Sequence, residues 1–247
     1  MADPRDLPPP PDFAALRESE RVALFLDFDG TLVEIAPTPD SIAVPDDLSL
    51  RLEDLARRLD GRLAVVSGRS PEDLAGHTGR MAVAIAGSHG IARQRPDGST
   101  LGNSAEGIPE ELRGRIERIA GEVGADIERK THGMAIHYRS APHLGEQIID
   151  ASRDLAAETQ FELKLGKCVV EFVRPGATKA GAVEAFMAEP EFSGSLPIFV
   201  GDDVTDEDGF RAASALGGFG IAVGERESEG ARFHLSDVRD VYAWLNL

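Results

Sequence analysis

The chain has 247 residues, 42% hydrophobic and 28% charged, enough for one large domain or for a domain that carries a smaller insert. Its 43 acidic against 26 basic residues leave a formal charge of −17, which repels nucleic acid and anionic membrane surfaces, so neither is expected as a partner. A single cysteine, Cys168, excludes an internal disulfide and a cysteine-based zinc site and fits a reducing compartment, by default the cytoplasm.

The first twenty residues hold a four-proline run, Pro8 to Pro11, and no apolar segment of signal or membrane-spanning length. They read as a flexible, loosely draped leader. Apolar runs of strand length follow at Val22 to Leu26, Leu63 to Val66, Met81 to Ala86, Ile198 to Val200 and Phe219 to Val223. Amphipathic helical stretches separate them, an alternation that predicts an α/β fold with a doubly wound, Rossmann-like parallel sheet. Between the first two runs, Leu48, Leu52, Leu55 and Leu59 recur at helical spacing before Gly61, which marks a crossover helix and its stop.

Residues 103–173 break this pattern. They offer a helix from Glu110 to Val123, strand-like pieces from Ala125 to Lys130 and from Met134 to Arg139, a helix from Leu144 to Glu158, and the run LKLGKCVVEFV. That order predicts a small α/β domain inserted into the larger one, which is left with residues 21–102 and 174–247. Within the last run Cys168 alternates with Val169 and Val170 and is expected to pack in a strand.

Four segments carry chemistry. In VALFLDFDGTL a buried strand ends in Asp27 and Asp29, which alternation places on one side at the carboxyl end, where open α/β sheets bind ligands. In PIFVGDDVTDEDGF a second buried strand runs into Asp202 and Asp203, with Asp206, Glu207 and Asp208 close behind. Some of these acids suit a helix N-terminus. Asp202 and Asp203 directly after a strand would repel their neighbours without a cation, and an oxygen-only donor set favours a hard ion such as Mg²⁺ over zinc. An EF-hand is excluded by count, because aligning Gly209 to its glycine puts Val204 and Ala215 where acids are required.

The third segment, LAVVSGRSPEDL, ends a strand in Ser67, Gly68 and Arg69 and opens a helix with Ser70 as cap and Pro71 at the first position; such a turn can cradle a phosphate. The fourth, RPGATKAGAV, places Lys179 near a helix start, where the helix dipole disfavours a cation. A buried Lys179 therefore needs an anionic partner.

In chain order these segments resemble the motifs of the haloacid dehalogenase-like phosphohydrolases: DxDGT, a strand-terminal serine, a distant lysine and a strand-terminal acidic pair. The resemblance implies that Asp27 attacks phosphorus to form an aspartyl-phosphate, while Asp29 protonates the leaving oxygen and then activates water. It further implies Mg²⁺ held by Asp27, the main-chain carbonyl of Asp29 and Asp202, with Asp203 and Asp206 in support. Thr31, Ser67, Gly68 and Lys179 would hold the transferring phosphoryl group.

MAVAIAGSHG, IERKTHGMAIHYR and CVVEFVRPGATKAG extend the likeness to the trehalose-6-phosphate phosphatase family over most of the chain. In that family the insert is a cap that closes over the sugar. The resemblance then implies that Glu128, Lys130 and Glu171 bind sugar hydroxyls and that Arg69 and His89 line the core side of the cleft. It implies a small sugar-phosphate substrate and admits functional coupling to a trehalose-phosphate synthase. Competing expectations are a capped phosphatase for sucrose 6-phosphate, a mannosyl-phosphoglycerate or a hexose phosphate, and a catalytically silent partner of a synthase. The last predicts loss of Asp27, Asp29, Lys179 or Asp202, and all four are present.

Overall fold

The computed structural model describes residues 7–36, 38, 41–102, 107–129, 133–166, 168–175 and 178–247. The chain divides into two compact units, a larger one of Met1–Asn103 with Thr178–Leu247 and a smaller one of Ser104–Ala177.

With strands numbered along the whole chain, the larger unit contains β1 (Val22–Leu26), β2 (Leu63–Val66), β3 (Ala84–Gly87) and β4 (Ala92–Gln94). The smaller unit contributes β5 (Asp126–Arg129), β6 (Gly133–His137), β7 (Glu162–Gly166) and β8 (Val169–Val173). The larger resumes with β9 (Leu196–Gly201), β10 (Phe219–Val223) and β11 (Ala231–Leu235). Its seven strands lie in the order β11-β10-β9-β1-β2-β3-β4. All neighbours are parallel except β3 and β4. This is the doubly wound α/β sheet expected from the apolar runs.

Every residue of β1 is buried because both sheet faces are covered. Val22, Leu24 and Leu26 join one core with Leu48, Leu52 and Leu55 of α2 (Leu48–Arg58) and Val241 and Leu245 of α8 (Val238–Leu245). Ala23 and Phe25 join the other, with Phe186 of α6 (Lys179–Met187) and Phe210 of α7 (Asp206–Ala215). Ala64, Ala84, Ala86 and Ala222 keep that second face shallow, which leaves room for the rings of Phe25, Phe186, Phe192, Phe199 and Phe210.

Strand order fixes the place of the chemistry. The chain leaves β1 to build β2 and β3 on one side, then returns to β9 on the other, with Leu26 opposite Val200. The carboxyl ends of β1 and β9 therefore meet at the topological switch, the position where open α/β sheets take ligands.

The smaller unit is a four-stranded antiparallel sheet in the order β5-β6-β8-β7. Met134, Ile136, Val170 and Phe172 pack with Leu112 and Ile116 of α4 (Glu110–Val123) and Ile148 and Leu155 of α5 (Gly145–Ala157). Period-two alternation sends the intervening residues to the opposite face, where Glu128, Ala135, Glu171 and Lys164 stand in one cross-strand row.

Two expectations need correction. The leader is not loose over its described part: α1 (Phe13–Ser19) is capped by Asp12, whose side chain accepts from the Ala15 N–H at 2.8 Å. Phe13 is buried against Trp244, with ring centroids 4.8 Å apart, while Trp244 Nε1 donates to the Pro11 carbonyl and the His234 N–H to that of Pro8. Burying one aromatic ring contributes about 1.5–3 kcal/mol, which offsets the ordering of a short segment that prolines already stiffen. Cys168 is not in a strand; it sits in the turn between β7 and β8 with φ +60°. No described helix is long and apolar enough to cross a membrane.

Candidate active site

Asp27 follows β1 directly, and its N–H donates to the Val200 carbonyl of β9 at 2.9 Å, which locks the two strand ends together. Across that junction, Asp27, Asp202 and Asp206 each offer a carboxylate oxygen within 4.8 Å of the others. The approach depends on Gly30, whose φ is +79° and where a Cβ would lie 2.1 Å from the Asp202 carboxylate.

Lys179 stands among these acids. Its Nζ lies 2.7 Å from Asp27 Oδ1 and 2.5 Å from Asp206 Oδ1, with only 3% of the side chain exposed. This is the anionic compensation that a cation at the first position of α6 requires. The Thr178 hydroxyl caps that helix by accepting from the Gly181 N–H at 3.0 Å.

Three carboxylates facing one ammonium leave an excess of negative charge. Burial pushes Asp27 up to about 6 against the pull of Lys179. Burial and the Asp206 charge push Asp202 up to about 7, and burial and the Asp27 charge do the same to Asp206. Lys179 is driven the other way: burial alone would weaken its charged form, yet Asp27 and Asp206 raise it well above its ordinary value. Asp202 Oδ1 is buried with no hydrogen-bond partner. An all-oxygen donor set, an orphaned carboxylate oxygen and unbalanced negative charge together fit a hard divalent cation.

Asp203, expected in support of the metal, lies outside this cluster of side chains, and the carboxylate of Asp29, whose main-chain carbonyl is the expected ligand, is engaged elsewhere. The exposed Asp203 accepts the Val204 N–H with its carboxylate, and its own N–H donates to Asp206 Oδ2 at 2.8 Å. Asp29 directs both carboxylate oxygens at Arg69, which donates from Nε at 2.7 Å and from its Nη2 at 2.8 Å. Arg69 also binds Asp73 at 2.9 Å and lies 3.3 Å from His77 Nε2. A guanidinium placed two residues after Ser67, at the end of the neighbouring parallel strand, reaches Asp29 more readily than a residue on a distant element.

Thr31 is fully buried, and its Oγ1 has no hydrogen-bond partner. Ser67, at the end of β2, is also buried, and its hydroxyl accepts from the Arg69 N–H at 3.1 Å. The His89 ring crosses Gly68, where a Cβ would meet it at 3.0 Å; Ser88 and His89 both adopt positive φ, strain of a kind that collects at functional turns. The Thr31 and Ser67 hydroxyls thus stand just past the ends of the neighbouring strands β1 and β2.

In the smaller unit, Glu128 and Glu171 share the sheet face opposite the helices, and Glu128 Oε2 lies 2.9 Å from His137 Nε2. Lys130 lies outside the described residues. Sequence reading missed Lys164, directly opposite Glu171, and Arg226, which binds the carbonyls of Asp202 and Asp203. Strand alternation could have found the first; no local pattern marks the second.

A family model described as trehalose-phosphatase matches residues 25–238. The chain is 37% identical over 232 residues to a trehalose-6-phosphate phosphatase of Escherichia coli (strain K12), covering 93% of this chain and 87% of that protein. It is 39% identical over 206 residues to a probable trehalose-phosphate phosphatase of Sinorhizobium fredii (strain NBRC 101917 / NGR234), covering 82% and 77%. A crystal structure described as a trehalose-6-phosphate phosphatase related protein matches with a TM-score of 0.69 at 27% identity, over 91% of this chain and 95% of that one.

Proposed function

The chain belongs to the trehalose-phosphatase family, and on that premise we propose that it hydrolyses trehalose 6-phosphate to trehalose and inorganic phosphate with Mg²⁺ as cofactor. The observation that carries this reading is the convergence of Asp27, Asp202 and Asp206 at the junction of β1 and β9, with Lys179 paired to Asp27 and Asp206.

Asp27 is the nucleophile. Lys179 holds one of its oxygens, so the other attacks phosphorus; the phosphoryl group moves to Asp27 as the bond from phosphorus to the sugar oxygen breaks. Asp29 gives a proton to that leaving oxygen, then takes one from the water that attacks the aspartyl-phosphate, which returns phosphate and free Asp27. Arg69 takes one lone pair on each Asp29 oxygen, which leaves a second on each for the proton that Asp29 gives and takes. Thr31, Ser67, the Gly68 N–H and Lys179 bind the phosphoryl oxygens, giving the orphaned Thr31 hydroxyl an acceptor. Asp27, Asp202 and the Asp29 carbonyl would hold Mg²⁺, with Asp206 nearby through Lys179. When bound there, the ion would offset the charge of the carboxylates and of the incoming phosphate.

Glu128, Lys130 and Glu171 are proposed to read sugar hydroxyls, which suit carboxylate and ammonium partners because each can satisfy two neighbouring hydroxyls. His89 borders the phosphate end, and Arg69 acts through Asp29 rather than on the sugar. A lone cysteine and an acidic surface suit a cytoplasmic enzyme that takes its ester from a trehalose-phosphate synthase. The test is phosphate release across trehalose 6-phosphate, sucrose 6-phosphate, mannosyl-phosphoglycerate and hexose phosphates, with and without Mg²⁺. Preference for trehalose 6-phosphate is expected; preference for another ester would leave the core chemistry standing and remove the substrate assignment.

A further inference from the structure

The acidic turn after β9 is fastened on its outer side by an arginine far along the chain. Arg226 Nε donates to the Asp202 carbonyl at 3.0 Å, and its Nη2 donates to the Asp203 carbonyl at 3.1 Å and to Glu207 Oε1 at 2.7 Å. Glu207 is largely buried in the first turn of α7, and its second oxygen accepts from the Glu229 and Gly230 N–H groups at 3.2 and 2.7 Å. Burial would raise this carboxyl, but hydrogen bonds from Arg226, Ser228 and Gly230 hold it below its ordinary value.

On its inner side the same turn is tied by Asp206, which accepts the Asp203 N–H and binds Lys179. The two ties act in opposite directions. With the carbonyls of Asp202 and Asp203 turned outward to one guanidinium, the Asp202 side chain is left on the inner side, against Gly30 and near Asp27. Arg226 pairs its charge with Glu207, so its effect on Asp202 runs through backbone geometry and not through neutralisation.

We propose that Arg226, anchored by Glu207, is a positioning residue that fixes the Asp202–Asp203 backbone so that the Asp202 carboxylate is presented to a divalent cation. This rests on the metal reading above and extends it to Arg226, outside the catalytic segments, and to Glu207, which had no role within them. An ammonium could replace the charge of Arg226 but not its planar fork, which spans two successive carbonyls and a carboxylate.

The test is Mg²⁺ binding by calorimetry to the full chain without substrate, for the wild type, Arg226→Lys, Arg226→Met and Glu207→Gln, with thermal midpoints in chelator as a check on folding. Loss of such a supporting contact typically weakens metal binding by roughly 10–100-fold. That loss is expected in both Arg226 variants, and a smaller one in Glu207→Gln. Turnover lost at low Mg²⁺ should return as Mg²⁺ is raised. Wild-type affinity in Arg226→Lys would overturn the positioning role, since charge alone would then suffice; so would unchanged affinity in folded Arg226→Met and Glu207→Gln. A wild type that binds no Mg²⁺ would overturn both this inference and the metal reading. Weakened binding in a protein inactive on trehalose 6-phosphate would sustain the inference and overturn the substrate reading alone.

Discussion

Arg69 grips Asp29 through two parallel hydrogen bonds, of 2.7 Å from Nε and 2.8 Å from Nη2, while only 9% of the Arg69 side chain is exposed. Asp73 holds the guanidinium from behind at 2.9 Å. Bidentate pairing of this kind fixes orientation as well as distance. In the proposed reaction it would set the direction from which Asp29 meets the leaving oxygen.

Removing that fork should therefore act on turnover rather than on substrate affinity. Arg69→Met is expected to reduce kcat on trehalose 6-phosphate by about 10²-fold, the lower end of general acid–base contributions, with a small change in KM. An aryl phosphate, whose leaving group needs little protonation, should lose far less. A rise in KM with kcat preserved would instead put Arg69 on the sugar.

Asp27→Asn should abolish turnover while leaving the fold intact, because an amide does not attack phosphorus. Asp29→Asn should fall by at least about 10²-fold. Steady-state rates and circular dichroism on purified variants check both, and full activity in Asp27→Asn would remove it from the nucleophilic role.

The metal-free protein should lose stability as pH rises across neutrality. Asp27 is pushed up to about 6, and Asp202 and Asp206 up to about 7, so these carboxyls hold protons more tightly folded than unfolded. Their contribution is present in full below their unfolded values, near 3.8, and is lost as pH climbs through 6 and 7. Depressed acids such as Glu207 and Asp237 titrate below this window and work in the opposite sense. Thermal midpoints in chelator should fall from about pH 5 to about pH 8 and recover with Mg²⁺. Asp202→Asn should raise the midpoint at the upper end and gain less from Mg²⁺. A profile that rises over the same range would contradict the charge balance described for the site.

Replacing Glu171 with Ala should lower kcat/KM on trehalose 6-phosphate by at least about tenfold, the loss expected from one charge-assisted hydrogen bond. Slow hydrolysis of an aryl phosphate should be nearly unchanged. Equal losses on both substrates would assign the effect to the fold.

The strand ends of the candidate site could be read from the chain because fully buried parallel strands are continuous apolar runs, so an acid directly after one stands out, as Asp27 and Asp202 do. Leu48, Leu52 and Leu55 announced their helix in the same way, through spacing. Strand β4 carries Ala92, Arg93 and Gln94, all half-buried at a sheet edge, and has no such signature. The same holds for β11, whose Arg232 is exposed while Leu235 is buried. Contacts between distant segments left no local trace: Phe13 on Trp244, Arg69 on Asp29 and Arg226 on the Asp202 carbonyl each depend on where the sheet order brings the chain. Within LKLGKCVVEFV the alternation of Cys168 with Val169 and Val170 suggests a strand, yet the chain reverses at Cys168, whose positive φ a side chain seldom adopts.

The most direct measurement of the central claim is acid quench of trehalose 6-phosphate turnover in Mg²⁺, followed by mass analysis of the peptide that contains Asp27. Phosphoryl transfer through this carboxylate predicts one phosphoryl group on that peptide during turnover, its slower formation in Asp29→Asn, and its absence in Asp27→Asn or in chelator. Phosphate formed at the full rate by the wild type with no phosphorylated Asp27 peptide at any quench time would contradict the account.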